Sequence, residues 1–365
     1  MQYKTNWQET KQRLSAWYKR EKTDRPLITL YKIRPEPLHP LETEISFDGP
    51  QDSCLSVEKN CARIKNHYAL YEPVAEAFPQ FNMNFGAGTM AFYLGAAPEY
   101  ANDTVWIKHC IEDYDKALPL RFDPENEIFK QHLALVEKQV ELTRGTDIFT
   151  VIPDIQENID ILAGLRDPQT LCYDLYDWPE NVKRATRNIS DIYMDYYNAF
   201  YERVKREDDW CAYTAFNLLG EGKTAKVQCD FAALLSPEHF DEIVLPALKS
   251  QCNQLDNVLF HLDGPEAFPH VDSLMGIEKI DALQWTPGAG NPGCGDERWF
   301  PLYEKVLKAG KGLWLDFYLP GFDDAVAAAD RIVRRFGSKG MFFQFLYVPP
   351  ADADRLLLKA ERDWK

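Results

Sequence analysis

The chain lacks any run approaching the roughly 20 uninterrupted apolar residues of a membrane span. Its opening, Met1-Gln2-Tyr3-Lys4-Thr5-Asn6, has no apolar core of a secretory signal. A cytoplasmic chain with no membrane partner is therefore expected. Basic residues are comparatively few, with 41 Lys and Arg against 57 Asp and Glu, a formal net charge of -16. That balance repels phosphate backbones and anionic lipid, so nucleic acid is excluded as an expected partner. The eight cysteines are scattered without a C-x-x-C pair, so no zinc ribbon or redox motif is written locally, and they are expected to be reduced and mostly buried. There is also no Ser nucleophile elbow, no H-E-x-x-H and no kinase set, which leaves nucleophilic hydrolysis unsupported. The stretch Gln284 to Gly293 is glycine-rich, yet it misses the phosphate-loop spacing and its prolines remove amide donors; Gly220 to Thr224, with Lys223, also misses that spacing.

What is present is an ordinary globular composition, 45% hydrophobic and 27% charged, with no low-complexity linker and no residue-level repeat. A single domain over 1–365 is expected. Short β-rich runs alternate with helical patterns, the mark of parallel βα units. The runs are Pro26 to Tyr31, Asp147 to Ile152, Trp210 to Phe216, Ala225 to Cys229, Asn257 to Leu262, Ile280 to Trp285, Gly312 to Phe317 and Met341 to Tyr347. Eight such runs predict an α/β fold of the (β/α)8 TIM-barrel type, with the main barrel over 146–350 and a C-terminal helix over 351–365. Ser236-Pro237-Glu238-His239 opens one of the intervening helices with an N-cap serine and a proline at the first helical position.

The first two runs are separated by far more chain than a βα loop needs. Residues 1–145 are thus expected to hold an N-terminal strand, helices and an elaboration containing Asn82-Met83-Asn84-Phe85-Gly86-Ala87-Gly88 and Thr104-Val105-Trp106-Ile107. That elaboration reads either as a cap over one barrel mouth or as a side layer of packing.

In a parallel barrel, catalytic groups come from the carboxyl ends of several strands. His261 and Asp263 alternate at one such end, before Gly264-Pro265, and so project to the same side. A histidine beside a carboxylate can share a proton, hold a cation or orient a substrate, or form a satisfied structural pair. Asp230 follows the apolar run ending at Cys229, where an acid is costly to bury unless hydrogen-bonded or functional, and His261, Asp263 and Asp230 are the expected catalytic residues. Asp154, Trp285, Asp316, Tyr318 and Gln344 hold comparable places on other strands and are the expected substrate-binding residues.

Two stretches carry a family resemblance. Val227-Gln228-Cys229-Asp230-Phe231-Ala232-Ala233-Leu234-Leu235-Ser236-Pro237, followed by Phe240, Pro246 and Val258 to Gly264, is similar to the central signature of the uroporphyrinogen decarboxylase superfamily. Asp160 to Pro168 and Asp174 to Glu180 resemble that superfamily's text after its first barrel strands. The resemblance spans roughly residues 145 to 350 and implies the same barrel.

In the superfamily's corrinoid-dependent methyltransferase branch, a His-x-Cys pair and a distant cysteine hold zinc. Here His261 matches, Asp263 stands in place of the cysteine, and the last strand offers Gln344. The resemblance thus implies zinc on His261 and Asp263, with a harder donor set than two thiolates supply. It also implies a small-molecule substrate and a corrinoid carried on a separate protein, since the chain shows no corrinoid-binding domain. The decarboxylase branch has a basic N-terminal segment that Thr23-Asp24-Arg25-Pro26 does not reproduce. A methyltransferase-like enzyme is the leading expectation, beside a decarboxylase or lyase acting on a small acid and a non-catalytic binding barrel.

Overall fold

The computed structural model describes residues 2–83, 85–318 and 321–365; Asn84 of the glycine-rich text lies outside them. Thirteen strands are found among the described residues: β1 Leu27–Ile33, β2 Tyr71–Ala75, β3 Gln80–Phe81, β4 Ala97–Tyr100, β5 Val105–Lys108, β6 Phe149–Ile152, β7 Trp210–Tyr213, β8 Leu218–Glu221, β9 Thr224–Gln228, β10 Asn257–Asp263, β11 Ala282–Thr286, β12 Gly312–Asp316 and β13 Met341–Val348. Each of the eight expected runs contains a strand. They are near-continuous apolar runs because a parallel strand is covered on both faces, and β6, β7 and β9 are buried along their whole length.

The largest sheet has the order β2-β1-β13-β12-β11-β10-β9, a smaller one β3-β6-β7-β8, and β4 and β5 form a separate antiparallel pair. Every pairing from β1 through β13 round to β9 is parallel, while β2 runs antiparallel on β1. In the smaller sheet β3, β6 and β7 are parallel and β8 folds back antiparallel. The fold is thus α/β with parallel central strands. Ladder pairing is traced within each sheet and not between them among the described residues.

Helices return the chain between strands. The longest, Pro179–Val204, buries Ile189, Tyr193, Tyr197 and Phe200 along one face, the stripe expected of a helix laid on a sheet. After β9, the Ser236 side chain accepts a hydrogen bond from the His239 backbone N–H, as the N-cap sequence predicts. That helix then continues through a π-helical turn, Phe240–Val244, into Leu245–Cys252. The C-terminal helix Pro350–Asp363 buries Ala353, Leu356 and Ala360.

Two expectations need adjusting. The segment ahead of β6 is more than a cap or a side layer, for it contributes β2 to one sheet and β3 to the other. Its glycine-rich stretch also presses on the loop after β6. The Gly88 N–H donates to the Asp154 carbonyl at 3.1 Å, and a Cβ at Gly88 would come within 2.7 Å of the Gln156 side chain. The other adjustment concerns Trp210 to Phe216, where the strand stops at Tyr213. Ala215, Phe216 and Asn217 all have positive φ, at 69°, 53° and 51°, and a left-handed run cannot continue a strand.

Candidate functional site

Register decides which side chains meet. Gln228 pairs with His261, His261 with Gln284, and Gln284 with Trp314, one row across β9, β10, β11 and β12. Since strand side chains alternate, these four share a face. One step toward the carboxyl ends, Asp263 pairs with Thr286, and Asp316 pairs with Gln344, which pairs with Thr29. Asp230 opens the 3-10 turn Asp230–Leu234 that follows β9.

Asp230, His261 and Asp263 each offer a ligand atom within 4.8 Å of the others. The His261 Nδ1 hydrogen-bonds the Gln284 Oε1. A carbonyl oxygen accepts, so this contact places the proton on Nδ1 and leaves the Nε2 lone pair free. Gln284 is itself anchored, its Nε2 donating to the Trp285 carbonyl and the Thr286 Oγ1, each at 3.0 Å. The Phe216 ring lies against the imidazole, with centroids 5.0 Å apart. Burial, followed by the charge of Lys226, holds His261 below the usual imidazole range, which favours the neutral, ligating form.

A second layer of polar groups supports the first. Lys226, buried on β9, donates to both oxygens of Asp154 at 3.0 Å and also bonds the Gln228 Oε1. The Gln228 Nε2 donates to the Asp230 Oδ2 at 2.6 Å. Asp160, from the helix Asn158–Arg166, accepts the backbone N–H groups of Asp230 and Phe231, each at 2.9 Å. Glu157 is fully buried and accepts the Gln228 N–H. Burial pushes Glu157 up to about 8, against the pull of Lys226, and lifts Asp160 to about 6, with Asp230 adding to the effect. Burial also raises Asp230, opposed by Lys226 and reinforced by Asp263. Asp230 and Asp263 reach solvent and His261 is half-buried, while neighbouring protein still weakens the hydration of the Asp230 carboxylate.

The expected site residues are distributed as follows. Asp230, His261 and Asp263 converge, and Asp154 joins them through Lys226 and Gln228. Asp316 accepts the Cys294 thiol at 3.6 Å and is raised by burial to about 6. Gln344 bonds the Tyr318 hydroxyl and accepts from the Asn217 Nδ2 at 2.6 Å. Trp285 is a correction. Its neighbour Gln284 takes the inward position, so the indole faces the opposite side and is buried against Phe268 and Trp299, centroids 5.1 Å away in each case. Sequence reasoning passed over Lys226, Gln228, Glu157, Asp160 and Gln284. The available signal was Lys226 and Gln228, two polar residues spaced by two inside an apolar run, with Gln284 and Thr286 repeating it on β11.

No family model and no curated protein matches the chain. Among solved structures, a methyltransferase from Methanosarcina mazei superposes with a TM-score of 0.63 at 13% sequence identity, covering 97% of this chain and 98% of that one. The likeness is one of fold and extends over both molecules from end to end.

Proposed function

We propose that the chain is a methyltransferase-like enzyme of the uroporphyrinogen decarboxylase superfamily, with its two sheets closing as a (β/α)8 barrel, and that it moves a methyl group between a small substrate and a separate corrinoid protein. The observation that carries the reading is the convergence of Asp230, His261 and Asp263 within 4.8 Å, with the imidazole oriented by Gln284. End-to-end likeness of fold to a methyltransferase supports it.

The donor set suits a divalent cation. One neutral imidazole and two carboxylates are available, and the imidazole's second nitrogen is engaged by a carbonyl in the manner of metal-ligating histidines. Zinc bound there would supply Lewis acidity toward a substrate heteroatom. The chain's own residues do the positioning: Gln228 orients the Asp230 carboxylate, and Asp160 pins the turn that presents it. Lys226 and Asp154 form an internal ion pair on β9 and the adjoining loop. Metal content of the purified chain and methyl exchange with a free methylated corrinoid, followed by the corrinoid's visible spectrum, test the reading. His261→Ala is expected to lose the cation and to slow transfer at least about a hundredfold with circular dichroism unchanged. Full transfer by that variant would sink the proposal.

A second reading has an observation of its own. Glu157, Asp160 and Asp316 are carboxyl groups raised to about 8, 6 and 6, values suited to proton delivery near neutrality. A carboxy-lyase acting on a small acid would use them. Release of carbon dioxide that survives chelation of all metal would select this reading over methyl transfer.

A further inference from the structure

A cavity of about 360 Å³ is bordered by Tyr31, His67, Tyr68, Asn217, Tyr318 and Tyr347, with Gln80 and Gln344 between them. The aromatic rings pack around one another. Tyr31 lies 5.5 Å from Tyr347 and 5.9 Å from His67, and His67 lies 5.6 Å from Tyr347, centroid to centroid. Burial raises Tyr31 and Tyr318 and lowers His67, so the phenols stay protonated and the imidazole neutral at physiological pH. Among the described residues, no Lys, Arg, Asp or Glu lines the space.

The amides are mutually engaged. Tyr31 donates to the Asn217 Oδ1 at 2.9 Å, and the Asn217 Nδ2 donates to the Gln344 Oε1 at 2.6 Å. The Gln80 Oε1 is buried without a hydrogen-bond partner. Asp316, the register partner of Gln344, stands two residues from Tyr318. Its side chain accepts from the Cys294 thiol, and no ion pair to it is found among the described residues.

We infer that this cavity receives the quaternary ammonium headgroup of a small substrate, with tyrosine faces around the methyl groups and Asp316 as the nearby countercharge. Aromatic faces attract a cation through the ring quadrupole, most strongly when the cation is desolvated. Four phenol rings border the space, with Tyr31 and Tyr68 on its inner side and Tyr318 and Tyr347 half exposed at its rim, and no Lys or Arg is among the described residues that line it. The half-buried Asp316 carboxylate has no ion-pair partner among the described residues, and a bound cation would provide one; the chain's net charge of -16 draws cations toward it. Asn217 borders the cavity and the preceding residue, Phe216, packs on His261, so the headgroup would sit one side chain away from the imidazole. As the identity of the methyl donor this rests on the methyl-transfer reading; as a binding site it does not.

Calorimetric titration of the full chain with choline and with its uncharged isostere 3,3-dimethyl-1-butanol tests the inference. Choline is expected to bind at least about tenfold more tightly than the isostere. Asp316→Asn and Tyr347→Leu should each shrink that ratio, whereas Tyr31→Phe, which keeps the ring, should preserve it. Nuclear Overhauser contacts from the N-methyl protons to tyrosine rings in the unaltered chain give the location without any variant. Equal affinity for the two compounds, no choline binding at millimolar concentration, or binding without those contacts would overturn the inference. Choline binding without methyl exchange would leave the cavity assignment standing and remove the methyl-transfer reading; methyl exchange without choline binding would do the reverse.

Discussion

Glu157 accepts one backbone N–H and holds its other carboxylate oxygen, Oε2, without a partner in a fully buried position. Its folded-state value, raised to about 8 from 4.5, means that the folded chain keeps a proton the unfolded chain releases. The stability this contributes is fully present below about pH 4.5 and is lost as pH rises through about 8. Glu157→Gln, which copies the protonated form, should match the unaltered chain in urea denaturation near pH 5. Near pH 8.5 it should exceed it by more than about 1 kcal/mol, and a difference independent of pH would contradict the assignment. Gln284 makes a different kind of contribution, because its carbonyl selects the imidazole tautomer. Gln284→Leu removes that acceptor and should weaken zinc binding by about 10- to 100-fold. Titration calorimetry reads the loss, and unchanged affinity would show that the tautomer is set elsewhere.

Between β7 and β8, three consecutive left-handed residues turn the chain within the span Thr214 to Asn217. A side chain in that region costs on the order of 1–2 kcal/mol, and the turn serves to place Phe216 on His261 and Trp314 and Asn217 on Gln344. Strain that positions site residues is retained when the surrounding packing enforces it. Ala215→Gly relieves the strain without touching either contact and should stabilise the fold by about 0.5–1 kcal/mol; a fall in melting temperature would refute this account of the turn. Strand text was legible where an apolar run was long enough, as at β10 and β13. It was not legible at β3, whose two residues pair with β6 far along the chain, or at β8, whose four residues fold back on β7 only because the left-handed turn between them reverses the chain. Trp285 was misplaced for a related reason. Period-two alternation assigns residues to opposite faces, but which face is inward depends on register with β10 and β12.

For the molecule as a whole, an excess of acids over bases leaves a formal charge of -16, and self-repulsion favours the expanded chain. Screening should therefore stabilise the fold, with the melting temperature rising as salt goes from about 10 mM to about 300 mM, where the Debye length contracts well below ~30 Å. A fall over that range would show that specific ion pairs outweigh the net repulsion. Read by itself, the sequence determined the α/β alternation, the positions of eight of the thirteen described strands and the projection of His261 and Asp263 to one side, because burial on two faces and alternation along a strand are properties of contiguous residues. Only the tertiary structure decided that Asp230, expected beside them, comes within 4.8 Å, that Lys226 and Gln284 stand behind them, and that tyrosines from both ends of the chain border one cavity. Those meetings depend on strand register and helix return, which bring distant residues together through packing that no local pattern records.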